Sequence, residues 1–242
     1  MSDPWDVLST TFDTTKNESD IPSHVADNIL IAWPLILDFI KKYAPMEENI
    51  RVLEYGCGSG GFAYKLHTFD YQVTGVDSSK EMIKKATVAY GDQVDFLLGD
   101  STVLSKLKHF SIITSIMALQ FIENIEETLQ DLANILEQDG LLIFAVHNPA
   151  QIKEYLQKGI LFEEFDSVEN PKKGILHLGK NKIPIFIRTA QEYTQLLQPI
   201  GFEQLLEAYP PFTKEFSEKY PIVDPTSEPE YLILGYRKTV SS

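Results

Sequence analysis

Three carboxylates and one histidine fall where extended, apolar runs of this sequence stop: Glu54, Asp77, Asp100 and His147. Glu54 stands just before a crowd of glycines, Gly56, Gly58, Gly60 and Gly61. Such a run suits a backbone that turns sharply and lets a ligand press against it, because glycine has no Cβ and enters φ > 0 freely. The residues Arg51-Val52-Leu53 before it read as strand, and the amphipathic stretch 62–69 after it reads as helix. Strand, glycine turn and helix open a nucleotide-binding α/β unit. Carboxylates at strand ends accept hydrogen bonds from hydroxyl and ammonium groups, and a histidine can take a proton.

Two cofactor patterns overlap on the glycines. Gly56, Gly58 and Gly61 satisfy G-x-G-x-x-G, the dinucleotide fingerprint. Glu54, Gly56, Gly58 and Gly60 satisfy E-x-G-x-G-x-G. A carboxylate at the turn repels a pyrophosphate and is compatible with a ligand that carries an ammonium and a sulfonium. Asp77 can accept hydrogen bonds from both ribose hydroxyls, a device shared with NAD enzymes, so it does not separate the two. A glycine-rich loop without a ligand is the third reading.

The elements that must position these groups alternate. Strands are expected over 50–55, 71–76, 93–98, 110–116 and 141–146. Helices are expected over 60–69, 79–90, 101–107 and 125–137, and Asp139-Gly140 reads as a turn. Five strands separated by helices imply a parallel sheet covered on both faces. Ahead of them, Ser23 is placed to cap a helix over 24–32, and Trp33-Pro34 to interrupt it before a second piece over 35–43. Residues 1–20 read equally as a disordered tail or as an aromatic flap. Over 150–188 the rhythm breaks. Segments 174–179 and 182–188 read as a hairpin turning at Lys180-Asn181, Thr189 caps a helix over 190–197, and 201–209 and 230–237 read as the last strands. A proline-rich, aromatic connection joins those two.

The second glycine pattern resembles motif I of the class I S-adenosylmethionine (SAM) dependent methyltransferases, and four further blocks follow in order. Val73-Thr74-Gly75-Val76-Asp77-Ser78-Ser79 carries the ribose acid. Gly99-Asp100-Ser101 ends the third strand. Residues 110–122 resemble the fourth motif and its loop, and 136–144 resemble the turn into strand five. Ser111 stands where the family commonly has an acid, which removes one supporting contact. A weaker similarity covers 185–202. The resemblance implies a Rossmann-like seven-stranded, mostly parallel sheet with an antiparallel last strand, helices on both faces, an N-terminal helical flap and an inserted lid. It implies a cap over 1–45, a SAM-binding core over 46–149, a lid over 150–188 and the rest of the sheet over 189–242. It places Glu54, Gly56, Gly58, Gly60, Asp77, Ser78, Met82, Asp100, Ser101, Ser115 and Met117 around SAM or its product S-adenosylhomocysteine. Met82 would pack on the adenine, Asp100 read its amino group, and backbone carbonyls near Ser115–Met117 meet the methionyl ammonium.

Composition narrows the acceptor. The chain has 242 residues, 43% of them apolar, and a net charge of −14. That field opposes binding to phosphate backbones, so no nucleic-acid partner is expected. Cys57 is the sole cysteine, which fits a reducing compartment. No signal peptide or apolar run near membrane-spanning length is read, so a cytoplasmic protein is expected. No N/D-P-P-Y/F follows strand four, no paired-glutamate loop is present, and no acid set suits a metal. A small-molecule acceptor methylated on oxygen or nitrogen is what remains. His147 is the candidate general base and acceptor contact. His24 and His177 are weaker candidates, and Phe12, Trp33 and Arg188 wall the acceptor pocket, with Tyr155 and Phe186 beside them. The competing readings are methylation of a protein or RNA, a non-catalytic SAM-binding module, and an NAD(P) oxidoreductase. The sequence sets no oligomeric state.

Overall fold

A computed structural model describes residues 3–15, 21–45, 49–159, 162–220 and 226–239. Its centre is a seven-stranded sheet ordered β3-β2-β1-β4-β5-β10-β9. The strands are β1 (Arg51–Tyr55), β2 (Gln72–Asp77), β3 (Asp95–Leu98), β4 (Phe110–Ile116), β5 (Leu136–His147), β9 (Phe202–Ala208) and β10 (Tyr231–Lys238). β1 to β5 are parallel neighbours, and β10 runs antiparallel between β5 and β9. This is the sheet the sequence implied.

Apolar patterning explains the order. In β4, Ile112 and Ile113 are both sealed, and in β5 the run from Leu141 to Val146 is buried on both faces, as central parallel strands require. β3 is exposed along most of its length and forms the edge. One core lies on the face of α6 (Ile125–Ile135) and α8 (Ala190–Leu197), around Phe144, Tyr193 and Tyr236. The other lies under α3 (Trp33–Tyr43) and α4 (Gly61–His67), around Ile36, Phe39, Phe62 and Leu66. Phe39 packs onto β10 at Gly235, where a Cβ would come within 2.5 Å of the ring. α5 (Lys80–Tyr90) joins β2 to β3, with Ser79 capping it through the Met82 amide at 3.2 Å.

Several expected boundaries move, each for a local reason. Trp33-Pro34 does not break the N-terminal helix. α2 (Ser23–Asp27) passes through a π turn, Asn28–Ala32, straight into α3. The Trp33 amide reaches Asn28, and this wider turn accommodates a residue that cannot donate. Ser23 is the first helical residue and not a side-chain cap. The joined helix, Ser23–Tyr43, has 21 residues and a mean hydropathy of 1.3, long and apolar enough by those two measures to cross a bilayer. Of the sequence expectation this corrects one point, that no apolar run nears that length; in this fold Ala26, Ile36 and Ile40 are buried. β5 begins five residues before Leu141 because Asp139 adopts φ 61 and keeps the chain in the sheet through an irregular step opposite Phe110 and Ile112. Ser111 finds a substitute for the missing acid, donating to Glu137 Oε2 at 2.7 Å.

The inserted segment forms its own layer. Helix α7 (Pro149–Lys158) leads to β6 (Phe162–Glu163), β7 (Lys173–Leu178) and β8 (Asn181–Phe186), a second sheet with a small core of Ile152, Phe162, Leu176, Ile185 and Ile187. The hairpin turns at Gly179-Lys180, one residue earlier than expected, because Gly179 takes φ 64. Thr189 caps α8 in a full capping box with Glu192, as its sequence indicates.

Phe144 is fully buried, with Tyr193 at 5.0 Å and Tyr236 at 6.0 Å between ring centres. Phe144→Ala is expected to lower unfolding stability by about 3–5 kcal/mol, whereas Val88→Ala, at a position 84% exposed, stays within about 0.5 kcal/mol. Urea denaturation of both variants checks the contrast.

Candidate active site

The glycine turn after β1 has its amide groups engaged by the protein itself. The Gly56 and Cys57 amides donate to the Val76 carbonyl at 2.8 and 3.0 Å. The Gly58 amide donates to Asp77 Oδ2 at 2.8 Å, and the Gly61 amide to Thr14 Oγ1 at 3.1 Å. The Gly60 amide donates to the Cys57 carbonyl at 3.0 Å. A phosphate-binding turn presents such groups to its anion; this one has committed them. Gly56, Gly58 and Gly60 all have φ between 53 and 83. A Cβ on Gly56 would strike Ala118 at 2.3 Å, while one on Gly58 meets nothing nearer than Met82 Sδ at 4.0 Å. Gly58 therefore leaves its flank open to the cavity it lines.

Glu54, at 3% exposure, has one carboxylate oxygen sealed without a partner. The Ala63 amide at the start of α4 bonds the carboxylate, but burial pushes its pKa well above the ordinary range, with Asp77 adding to the rise. A buried acceptor without a donor is costly unless a ligand brings one, and a cationic ligand also restores the charged form. Each Asp77 oxygen accepts one amide, from Gly58 and Ser79, both at 2.8 Å. That leaves lone pairs on both oxygens for hydroxyls. An ammonium for Glu54, hydroxyls for Asp77 and a turn whose glycine amides are taken fit SAM better than a pyrophosphate.

A cavity of about 920 Å³ runs from the ends of β1 and β2 to His147 at the end of β5 and Glu230 before β10. Of the residues picked from sequence, it brings together Phe12, Trp33, Glu54, Gly56, Gly58, Asp77, Ser78, Met82, Asp100, Met117 and His147. Met117 holds φ 55 while its amide bonds the Ala145 carbonyl at 2.8 Å. Such backbone strain on a non-glycine residue concentrates at ligand sites. Asp100 stands at the exposed rim and also caps the 3-10 turn Ser101–Lys106 through Thr102, which holds its pKa below the usual range.

Four of the picked residues do not line the cavity. Gly60 faces Phe96, where a Cβ would lie 2.6 Å from the ring. Ser101 contributes its amide to the Tyr55 hydroxyl. Ser115 is fully buried in β4 with its hydroxyl unpartnered. Arg188 ties the lid to the loop after β4, donating to the carbonyls of Ile122 at 2.9 Å and Glu123 at 3.0 Å, over the Phe186 ring. Phe186 likewise lies off the cavity, and His177 sits 3.1 Å from Glu163 within the lid, whereas His24 and Tyr155 do reach the lining.

The N-terminal segment is a strap across the turn. Asp6 accepts from the Ser79 hydroxyl at 2.7 Å and the Glu81 amide at 3.1 Å. The Thr14 amide donates to Ser59 Oγ at 2.8 Å, and Asp13 pairs with Lys85 at 3.1 Å. Trp5, in helix α1 (Pro4–Leu8), packs on Phe121 with ring centres 4.8 Å apart. Of the two sequence readings for this segment, its described residues follow the flap. Sequence reasoning missed Thr14, Tyr55, Asp27, Gln151 and Glu230 on the lining. Glu230 carried a signal: an acid opening an antiparallel strand arrives at the same sheet edge where parallel strands end.

His147 is neutral. Burial pulls its pKa down to about 4, and its Nδ1 is sealed without a partner. A neutral imidazole there can form hydrogen bonds but is only a weak base at neutral pH. SAM supplies a methyl group on a sulfonium that is already a good leaving group. The chain therefore needs to hold the acceptor, exclude water and align the nucleophile. Phe12, Trp33, Phe62 and Phe121 give the cavity an aromatic wall.

This fold and site define a class I SAM-dependent methyltransferase. The chain belongs to the methyltransferase-domain family, whose profile matches residues 31–207. Among curated relatives, it is 25% identical over 217 residues to malonyl-[acyl-carrier protein] O-methyltransferase 2 of Ilyobacter polytropus, covering 78% of this chain and 84% of that protein. It is 27% identical over 146 residues to a ubiquinone biosynthesis O-methyltransferase of Rickettsia typhi, covering 59% of this chain and 57% of that one. Among solved structures, it shares the fold of magnesium protoporphyrin IX methyltransferase from Synechocystis PCC 6803 with bound S-adenosylhomocysteine. The TM-score is 0.63, at 16% identity over 96% of this chain and 95% of that one.

The His147 shift has a sign that stability measurements can read. A histidine whose pKa is lower folded than unfolded stabilises the fold fully above its unfolded value near 6.5 and loses that contribution as pH falls toward about 4. Relative to His147→Asn, the wild-type chain is expected to lose about 1.4 kcal/mol per pH unit across that window. Parallel pH–stability curves in urea show either this divergence or superposition, and superposition refutes the burial assignment.

Proposed function

We propose that the enzyme methylates an oxygen or nitrogen atom of a small molecule by in-line displacement within this cavity. The observation that carries the reading is that two appended segments wall the cavity. The strap over 3–15 and the lid built from α7 and β6–β8 both contribute walls, with Trp5, Phe12, Phe162 and Leu176 on the lining. A polynucleotide or folded protein needs an open, complementary surface, and a chain of net charge −14 repels the former. The names of two relatives, a malonyl-[acyl-carrier protein] O-methyltransferase and a ubiquinone biosynthesis O-methyltransferase, support an acceptor with a nucleophilic oxygen.

On this reading Glu54 meets the methionyl ammonium, Asp77 the ribose hydroxyls, Met82 the adenine face and Asp100 the adenine edge. His147 hydrogen-bonds the acceptor, whose nucleophile is already deprotonated or carries a free pair, since His147 is a weak base. The cap over 1–45 and the lid over 150–188 set acceptor choice, and the core over 46–149 holds the donor.

Incubation of the full chain with methyl-labelled SAM and a fractionated cell extract tests this. Label is expected in the fraction below about 1 kDa, a size matched to ligands of drug-like pockets. Label confined to protein or RNA overturns it.

A further inference from the structure

We propose that Asp27 and Glu230 form the polar anchor of the acceptor and that the group they take is a protonated amine. The proposal rests on the small-molecule reading and names a substrate class for it.

Asp27 ends α2, Glu230 immediately precedes β10, and both line the cavity. Their carboxyls hydrogen-bond to each other, so they share a proton. The Tyr231 hydroxyl donates to Asp27 Oδ2 at 2.5 Å. The Glu230 carbonyl accepts the Asn148 amide at 2.8 Å, and Tyr231 is the register partner of His147. The pair therefore stands at the His147 end, across the cavity from Glu54 and Asp77.

Polar atoms without partners gather there. Asn28 Oδ1 and His147 Nδ1 are sealed from solvent without partners, and both residues line the same space. Burial raises both carboxyls, Glu230 most. The compensating charge is not supplied by the wall. Among the described lining residues, Lys219 is the single lysine or arginine, and it is exposed, its Nζ 5.2 Å from the Tyr220 ring centre. An ammonium brings three donors and the missing positive charge at once. A carboxylate at the same place meets like charge and unpaired acceptors. An ammonium has no free electron pair, so the anchored group is not the atom that is methylated; the nucleophile is a second atom of the acceptor.

The aryl-rich lining by Phe121, Tyr155 and Phe162 selects the probes. The full chain, saturated with S-adenosylhomocysteine, is titrated by calorimetry with phenethylamine, 3-phenylpropan-1-ol and 3-phenylpropanoate. Phenethylamine is expected to bind at least about 10-fold tighter than the alcohol, with the propanoate weakest, as charge-assisted hydrogen bonds dictate. Asp27→Asn and Glu230→Gln are expected to erase that preference while S-adenosylhomocysteine affinity stays within about two-fold, and melting curves report whether each variant folds. Should either fail to fold, the wild-type ranking decides. Equal or tighter binding of the alcohol or the propanoate overturns this proposal alone. Silence from all three probes, with S-adenosylhomocysteine still bound, overturns it together with the small-molecule reading.

Discussion

The hydrogen bond from the Gly58 amide to Asp77 fixes the glycine-turn end of the cavity. It locks a turn of left-handed glycines to the end of the neighbouring strand, and the Ser79 amide completes the clamp. It also consumes one amide that a dinucleotide fold offers to phosphate. Glu54 follows from the same logic. A buried acid with one oxygen unpartnered is stabilised in its charged form by a cationic ligand. The strap reinforces the turn from outside, since Thr14 takes the Gly61 amide and Asp6 occupies the start of α5.

The far end of the cavity is built differently. Its walls come from parts far apart in the chain: Asp27 and Asn28 on the N-terminal helix, His147 at the end of β5, Phe162 and Leu176 in the lid, and Glu230 ahead of β10. What unites them is the sheet order. β10 enters antiparallel beside β5, so the residues before it arrive where β5 leaves off. The π turn that carries the chain past Pro34 keeps one helix continuous from Ser23 to Tyr43. That continuity lets Asp27 reach the cavity while Phe39 stays clamped on Gly235.

This difference explains what could be read from sequence. Glu54, Asp77, Met82 and the strained Met117 lie within contiguous motifs, so their convergence on one cavity was legible from type and spacing. The parallel core was legible because strands such as 141–146 are apolar on both faces. Arg188 misled because a cation near a predicted lid looks like a ligand contact, yet its guanidinium satisfies the carbonyls of Ile122 and Glu123. β6 escaped because two residues carry no period. Asp27 and Glu230 escaped because a lone acid in a helix and another before a strand read as surface until the fold joins them.

Calorimetry of the wild-type chain and Asp77→Ala against SAM, S-adenosylhomocysteine and NAD measures the central claim. The account predicts that SAM and S-adenosylhomocysteine bind the wild type and NAD does not. It predicts that Asp77→Ala weakens both by about 10- to 100-fold, the worth of hydrogen bonds to a charged group. Binding of NAD to the wild type, or undiminished SAM affinity in the variant, would contradict it.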